Sequence, residues 1–463
     1  MFPFDFAALL GRCCVGVFCL LARWTSVVVP VSVVVAVPLV GVSRLVAEEV
    51  SPPNVILIMA DDIGRECFGC YGSEQYRTPN IDRLAKEGMR FEHCYSQPLC
   101  TPSRVKIMTG LSNVRNYSGF SILNRDQKTI GHHMQEAGYR TLVAGKWQLL
   151  GANHYSKQFQ LKGTWPAEAG FDRFCLWQVD QLGDRYWQPT LNVDGKTITY
   201  GKDDYGPDKA TDFIVDFMES HTKASKQPFF VYYPMILVHN PFEPTPDSES
   251  RNAKGKKKNF VDMVAYMDKL VGRIVKKTEA LGVADNTVIL FTADNGTHTA
   301  IQSEYLGKSF RGGKGKTTDA GTREPLVAYW PNKIAANVVN EDLVDFSDFL
   351  PTLLDLSGRP QLAGADGYSF WPQLMGEPGK PRQSVYCYYC PRPEKSEPVR
   401  FARDQRWKLY GDGRFFDVKN DPKEKTPITD FEGRRAARQA KAKLSAAIQA
   451  MPAEGQRLLQ FAE

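Results

Sequence analysis

The chain has 463 residues, 43% hydrophobic and 24% charged, a globular composition that excludes a disordered or fibrous protein. A formal net charge of +6 is mild at this length and excludes the strongly basic face of a nucleic-acid binder. The length exceeds one simple core and suits one large domain plus a smaller one.

Residues 1–47 read as an export signal. Phe6 to Leu21 is apolar but interrupted by Arg12, and Arg23 precedes a second apolar run from Val27 to Val42. That run holds Pro30 and Pro38 and is short against the roughly twenty residues of a spanning helix. Small residues near Ser43 and Ala47 suit cleavage. The expected product is exported, periplasmic or secreted, and meets a membrane only if this segment is kept as an anchor.

Beyond it, Asn54-Val55-Ile56-Leu57-Ile58-Met59 is a short continuous apolar run, a buried strand, with Asp61-Asp62 just after it. Thr78 opens a helix whose Ile81, Leu84, Ala85 and Met89 share one face. Next comes Cys100-Thr101-Pro102-Ser103-Arg104, closed by Thr109-Gly110. Tyr139 to Ala144, Phe229 to Tyr233 and Thr287 to Phe291 are further buried-strand candidates, the last followed by Asp294-Asn295-Gly296. Val261 to Leu281 predicts a long amphipathic helix, and Leu343 to Leu356 a helix broken or kinked near Pro351. After Gly358 the texture turns to Gly, Pro, Tyr and short strands such as Trp407 to Tyr410, and Gly433 to Ala450 predicts a final Ala-, Arg- and Lys-rich helix. The alternation predicts an α/β fold, a mostly parallel sheet flanked by helices. It divides into a catalytic domain over 48–381 and a small C-terminal α+β subdomain over 382–463.

Three features invite other readings. Cys67/Cys70 and Cys387/Cys390 form two C-x-x-C pairs, but their separation along the chain is far from zinc-ribbon spacing, so buried or oxidised thiols are expected. The run from Phe310 to Thr317 ends like a phosphate-binding loop, yet Phe310 stands where the first Gly is needed and no clear strand precedes it. Arg251 to Lys258, with five basic residues, reads as a solvated loop, with attraction of polyanions as the alternative.

The chemistry-bearing residues cluster by type. Asp61 and Asp62 end one apolar strand, and Asp294 and Asn295 end another, where open α/β sheets bind ligands. Oxygen donors without thiolate or imidazole select a hard cation, Ca²⁺ or Mg²⁺, over zinc. Either pair alone could be a strand-to-loop turn, which Asp, Asn and Gly favour. Both pairs together, bracketing Cys100, favour the metal reading.

These motifs, in this order from about Asn54 to about Glu424, resemble the type I, formylglycine-dependent sulfatases of the alkaline phosphatase superfamily. The resemblance implies an alkaline-phosphatase-like α/β domain followed by a small antiparallel sheet with a helix. It implies that a formylglycine-generating modification enzyme oxidises Cys100 to formylglycine, whose hydrated aldehyde is the nucleophile. By the same likeness, Asp61, Asp62, Asp294 and Asn295 hold calcium, with modified Cys100 completing the shell. Lys146 and Lys314 match two sulfate-clamping lysines, His239 a sulfate-contacting histidine able to protonate the leaving oxygen, and Arg104 an arginine that steadies the modified residue. The implied substrate is a sulfate ester on a sulfated saccharide.

One position departs. The family string after the first lysine runs Trp-His-Leu-Gly, whereas here it is Trp147-Gln148-Leu149-Leu150-Gly151. An amide can hydrogen-bond the nucleophile's hydroxyl but cannot take its proton near neutral pH. Another base such as His298 or an Asp then substitutes, or turnover is slow, or the substrate differs. Two other functions stay open: a phosphoester or phosphonate hydrolase of the same superfamily, and a non-catalytic sulfated-glycan binder.

Overall fold

A computed structural model describes residues 52–455. The export-signal reading of 1–47 lies outside the described residues. Twelve strands precede the C-terminal region: β1 (Asn54–Ala60), β2 (Met89–Tyr95), β3 (Arg140–Lys146), β4 (Arg173–Trp177), β5 (Thr190–Val193), β6 (Lys196–Thr199), β7 (Phe229–Pro234), β8 (Thr287–Ala293), β9 (Gln302–Tyr305), β10 (Lys308–Arg311), β11 (Arg323–Tyr329) and β12 (Val338–Asp345). Ten of them form one sheet in the order β12-β2-β11-β8-β1-β7-β3-β4-β5-β6, and β9 and β10 pair separately as a hairpin.

The centre of the sheet explains itself from sequence. β1 is parallel to both β7 and β8, and all three strands are buried along their whole length. A strand covered on both faces needs apolar side chains at every position, not at alternate ones. The two faces carry separate cores. Ile56, Ile58 and Tyr233 pack against the helix Lys256–Ala280, while Val55, Leu57 and Tyr232 belong to the cluster that includes Val105, Met108 and Leu350. Asn54 is a polar exception at the start of β1. Its amide donates to Thr287 Oγ1 at 3.3 Å and its carbonyl accepts from Phe229 N at 3.0 Å, tying the entries of three strands together.

Four more strands, β13 (Val385–Tyr389), β14 (Val399–Arg403), β15 (Trp407–Tyr410) and β16 (Phe415–Asp417), make a small antiparallel sheet. The helix Arg435–Gln449 buries Ala437, Ala440 and Leu444 against Ala402, Leu409 and Phe415. The fold is therefore the one expected, a large mostly parallel sheet with helices plus a small C-terminal antiparallel sheet.

Four local expectations need correction. Met89, expected on the face of the helix that Thr78 opens, instead begins β2, since that helix ends at Glu87. Leu343 to Asp345 belong to edge strand β12, parallel to β2, and the helix begins only at Phe349. Pro351 lies in its first turn, where a missing N–H costs nothing, so it neither breaks nor kinks the helix. The long helix starts at Lys256, so the last part of the basic run is a solvated first turn and not a loop. A strand, β10, does precede the segment that resembles a phosphate loop. It leads into no helix, since the next helical residues are Asp319–Thr322.

Among the described cysteines, Cys67, Cys70, Cys94, Cys100, Cys175 and Cys387 are free thiols, and Cys390 donates to the Ser396 carbonyl at 3.2 Å. Cys67 meets Thr297 Oγ1 at 3.5 Å and Cys387 Sγ meets the Gln97 side-chain amide at 3.1 Å, so the two C-x-x-C pairs face different surroundings and make no four-thiolate site.

Candidate active site

The carboxyl ends of β1, β3, β7 and β8 lie side by side in the sheet, and each delivers site residues into the loop that follows. β1 ends at Ala60, and Asp61 and Asp62 come next, both fully buried. Asp62 adopts a left-handed backbone, φ 59°, which Asp tolerates better than most residues. Its N–H is held by Asp294 Oδ1 at 3.0 Å, and Asp62 Oδ1 accepts from Asn295 Nδ2 at 2.9 Å. The two strand-end pairs are thus locked directly to each other.

Helix α1 (Pro79–Glu87) packs away from this cluster, whereas α2 (Cys100–Thr109) points its N-terminus into it, with Cys100 as its first residue. Every residue of α2 is buried. One turn on, Arg104 Nη2 donates to Asp294 Oδ2 at 2.8 Å and lies 3.8 Å from Asp61 Oδ1, while Nη1 donates to the Lys146 carbonyl at 3.2 Å. Ser103 Oγ accepts from Gln97 N at 3.0 Å and donates to the Gln97 or Leu99 carbonyl, fixing the turn that presents Cys100. The Ser of the pentapeptide is therefore a structural brace.

β3 brings in Lys146, whose Nζ donates to Asp61 Oδ2 at 2.8 Å. The residue before it must be glycine: Gly145 has φ 121°, and a Cβ there would lie 2.0 Å from the Pro234 carbonyl of β7. Lys314, from the loop after β10, donates to Asp62 Oδ2 and lies 3.1 Å from His239 Nε2. His239 follows β7, and its Nε2 is 3.4 Å from Asp62 Oδ2. Gly315 N donates to the Pro98 carbonyl at 2.8 Å, which ties the Lys314 loop to the Cys100 turn.

The electrostatics follow from burying this many charges together. Burial raises the Asp61 carboxyl, but Lys146, His239 and Arg104 outweigh it and hold it below the ordinary carboxylate range. Asp294 goes the other way, pushed up to about 7 by burial and by the charge of Asp61, against the pull of Arg104. His239 is pushed down to about 4 by burial, against the pull of Asp62 and Asp61. The Cys100 thiol is raised by burial and eased down by Lys146 and Lys314, while Asp294 and Asp61 raise it further. All of these groups feel one another, so the residues singled out in sequence share one site.

The donor set fits a hard cation. Asp61 Oδ1 and Asn295 Oδ1 are buried without a hydrogen-bond partner, a costly state that a bound ion would relieve. Ligand atoms of Asp61, Asp62 and His239 all lie within 4.8 Å of one another. Asp294 joins the same cluster, its Oδ1 accepting from Asp62 N and its Oδ2 from Arg104.

Gln148 follows Lys146 and Trp147 with φ 57°, and its Oε1 is buried without a partner. Its Nε2 reaches the Tyr155 hydroxyl at 3.4 Å, which also accepts from Gln178 Nε2 at 2.9 Å. His298 lies at the edge of the same cluster, where burial lowers its pKa and the charges of Asp62 and Lys314 reach it. It follows β8 beyond Asn295, edge-on to Phe242 at 5.7 Å, with Nδ1 accepting from Ala300 N at 3.1 Å.

Sequence reasoning missed Tyr155 and Arg185. The Arg185 guanidinium stacks on Trp177 at 4.0 Å and puts Nη1 2.8 Å from His239 Nδ1. Both come from the long segment between β3 and the helix Gly206–Ala224, where no periodicity or motif marks them.

The site and the sheet together have counterparts among known proteins. A family model described as Sulfatase matches residues 53–359, and one described as N-sulphoglucosamine sulphohydrolase, C-terminal, matches 314–452. The chain belongs to the sulfatase family of the alkaline phosphatase superfamily and is a sulfuric ester hydrolase. It is 32% identical to arylsulfatase A of Homo sapiens over 78% of this chain and 75% of that protein. It is 26% identical to N-acetylglucosamine-6-O-sulfatase of Bacteroides thetaiotaomicron over 82% of this chain and 83% of that one. The crystal structure of Ps i-CgsB in complex with k-i-k-neocarrahexaose superposes with a TM-score of 0.70 at 25% identity, covering 86% of this chain and 93% of that chain.

Proposed function

We propose that the protein hydrolyses sulfate esters on a sulfated carbohydrate, with Cys100 as formylglycine and a calcium ion beside it. The observation that carries this is the position of Cys100. It opens a helix whose N-terminus faces the charge cluster of Lys146, Lys314, Asp61 and Asp294. The names of two sugar-processing relatives, an N-acetylglucosamine-6-O-sulfatase and an N-acetylgalactosamine-6-sulfatase, support a carbohydrate substrate.

Formylglycine, once hydrated, supplies a hydroxyl nucleophile where the thiol now stands. Its formation calls for a modification enzyme acting on the Cys100 segment before folding, because Cys100 is 2% exposed in the folded chain. Asp61, Asp62, Asp294 and Asn295 would hold calcium, or magnesium in its place, and such an ion supplies positive charge next to the nucleophile. Lys146 and Lys314 are placed to clamp the sulfate oxygens as negative charge shifts onto the leaving oxygen. With Nδ1 between Arg185 and the Asn240 carbonyl, His239 presents Nε2 to the same space, and as the Nε2–H tautomer it can protonate that oxygen. Arg104 and Ser103 act by holding the turn.

We further propose that residues 1–47 direct export, so that the protein meets its substrate outside the cytoplasm. Among the described residues no helix is long and apolar enough to cross a membrane.

Initial rates on matched aryl sulfate and aryl phosphate esters test the reading. Sulfate release well above phosphate release is expected. Faster phosphate release would assign the site to phosphoester chemistry, and tight saccharide binding without sulfate release by modified protein would make it a binder.

A further inference from the structure

Beside the nucleophile lies a cleft of about 570 Å³ lined by Leu99, Phe120, Pro391, Arg392, Lys395 and Ser396. That volume falls within the roughly 300–1,000 Å³ of ligand pockets. Leu99 is the residue before Cys100, and the segment carrying Phe120 is fastened to the nucleophile helix where Ser121 N donates to Thr101 Oγ1 at 3.1 Å. The Phe120 ring sits 6.1 Å from that of Tyr155, the partner of Gln148. The opposite wall comes from the strap between β13 and β14. Tyr389, at the end of β13, feels the charges of Cys100 and Lys314, and Tyr117 Oη donates to the Pro391 carbonyl at 3.0 Å, holding the strap over the site. Leu99, which lines the cleft, is therefore one residue from the nucleophile.

Its chemistry is divided. Leu99, Phe120 and Pro391 give an apolar floor with one half-buried aromatic face, suited to the C–H face of a sugar ring. Arg392 and Lys395 are exposed, and among the described residues neither side chain has a hydrogen-bonded or ion-paired partner. The strap also carries two acids outside the lining: Glu394, whose charge is felt at Tyr117 behind the strap, and exposed Glu397. Two unspent cations at the rim of an apolar floor match an anionic group on a sugar.

Resting on the sulfatase reading, we propose that this cleft binds a second anionic group of the saccharide whose ester is cleaved at Cys100. The substrate is then a polyanionic glycan, not a singly sulfated neutral sugar. A sulfate and a uronate carboxylate share the required chemistry.

The test uses three disaccharides of one backbone: singly sulfated, doubly sulfated, and singly sulfated with a uronic acid. Steady-state kinetics compare the full-length modified enzyme with its Arg392→Gln/Lys395→Gln double variant, and a thermal melt checks that the variant is folded. The enzyme is expected to prefer a doubly anionic sugar, and the variant to lose that preference by roughly tenfold, chiefly in KM, as loss of charge-assisted contacts predicts. Whichever doubly charged sugar loses more in the variant identifies the group. Equilibrium binding of the same three sugars to the Cys100→Ala protein repeats the comparison without turnover. A preference that survives the double substitution, or equal affinity of Cys100→Ala protein for singly and doubly charged sugars, overturns the proposal. Absence of sulfate release from every ester would instead count against the sulfatase reading, and the binding measurement would still decide the cleft.

Discussion

Arg104 and Asp294 are joined by a 2.8 Å ion pair that is 1% and 0% exposed, across a sequence separation of 190 residues. The pair fastens the nucleophile helix to the end of β8. Because Arg104 also lies 3.8 Å from Asp61, it neutralises part of a cluster of buried carboxylates.

Removing that cation alone leaves its partners uncompensated. Arg104→Ala is expected to cost about 3–5 kcal/mol, the usual penalty for breaking a buried pair from one side. Denaturant unfolding measures it. Arg104→Lys should recover part of the loss, since charge returns without the two-pronged geometry. A loss below about 1 kcal/mol for Arg104→Ala, within the range of an exposed pair, would show that the carboxylates are neutralised by other groups.

Calcium should stabilise the fold through the same carboxylates. At calcium near a hundred times its dissociation constant, linkage predicts a gain of about 2.7 kcal/mol. Thermal melts with calcium and with chelator read it. Asp294→Ala should abolish both this dependence and turnover, because the site loses charge and Arg104 loses its partner. A calcium response that persists in Asp294→Ala would move the ion elsewhere.

Gln148 is expected to limit release of sulfate after its capture. Its amide meets the Tyr155 hydroxyl, whose pKa is raised by burial, and the imidazole that touches this network is His154, 4.0 Å from the Tyr155 ring and 3.5 Å from Gln178 Nε2. Gln148→His should raise the steady-state rate by at least about tenfold, short of the roughly 10²–10⁴-fold of a fully positioned general base because the ring must fit a site built for an amide. The same substitution in a Tyr155→Phe background gives the ring more room. An unchanged or slower rate in both would mean that an earlier step is limiting or that another residue takes the proton. His298→Ala is then the variant to examine.

Much of this was readable before the fold was known. β1, β7 and β8 are continuous apolar runs because they are covered on both faces, and the acidic pairs follow them directly. The helix expected over Leu343 to Leu356 takes in the last three residues of β12, because exposed Val339 and the polar Asn340, Glu341 and Asp342 before them blur the strand alternation. Tyr155 and Arg185 were illegible for a different reason. Their positions are set by Gln178 and Trp177, partners brought near by tertiary packing, and nothing local in the chain encodes that.

A second buried carboxyl gives a pH prediction away from the nucleophile. Glu324 is fully buried, and burial with the nearby charges of Glu66 and Asp294 outweighs the pull of the Ser96 hydroxyl and raises its pKa well above the ordinary value of 4.5. The native state then keeps a proton that the unfolded chain releases above about pH 4.5, so this group lowers stability as pH rises. Glu324→Gln removes the effect. Relative to wild type, the variant should gain up to about 1.4 kcal/mol per pH unit above pH 5, until the native group itself ionises. A stability difference that stays flat from about pH 5 to 8 would show that Glu324 is already charged in the native protein.

The central claim is that Cys100, once modified, is where sulfate esters are cleaved. The most direct test prepares the protein at several degrees of modification, reads the modified fraction by intact-mass analysis, and measures sulfate release from an aryl sulfate for each preparation. The account predicts a rate proportional to the modified fraction, reaching zero in unmodified protein and in Cys100→Ala. Equal rates at every degree of modification, or full activity in Cys100→Ala, would contradict it.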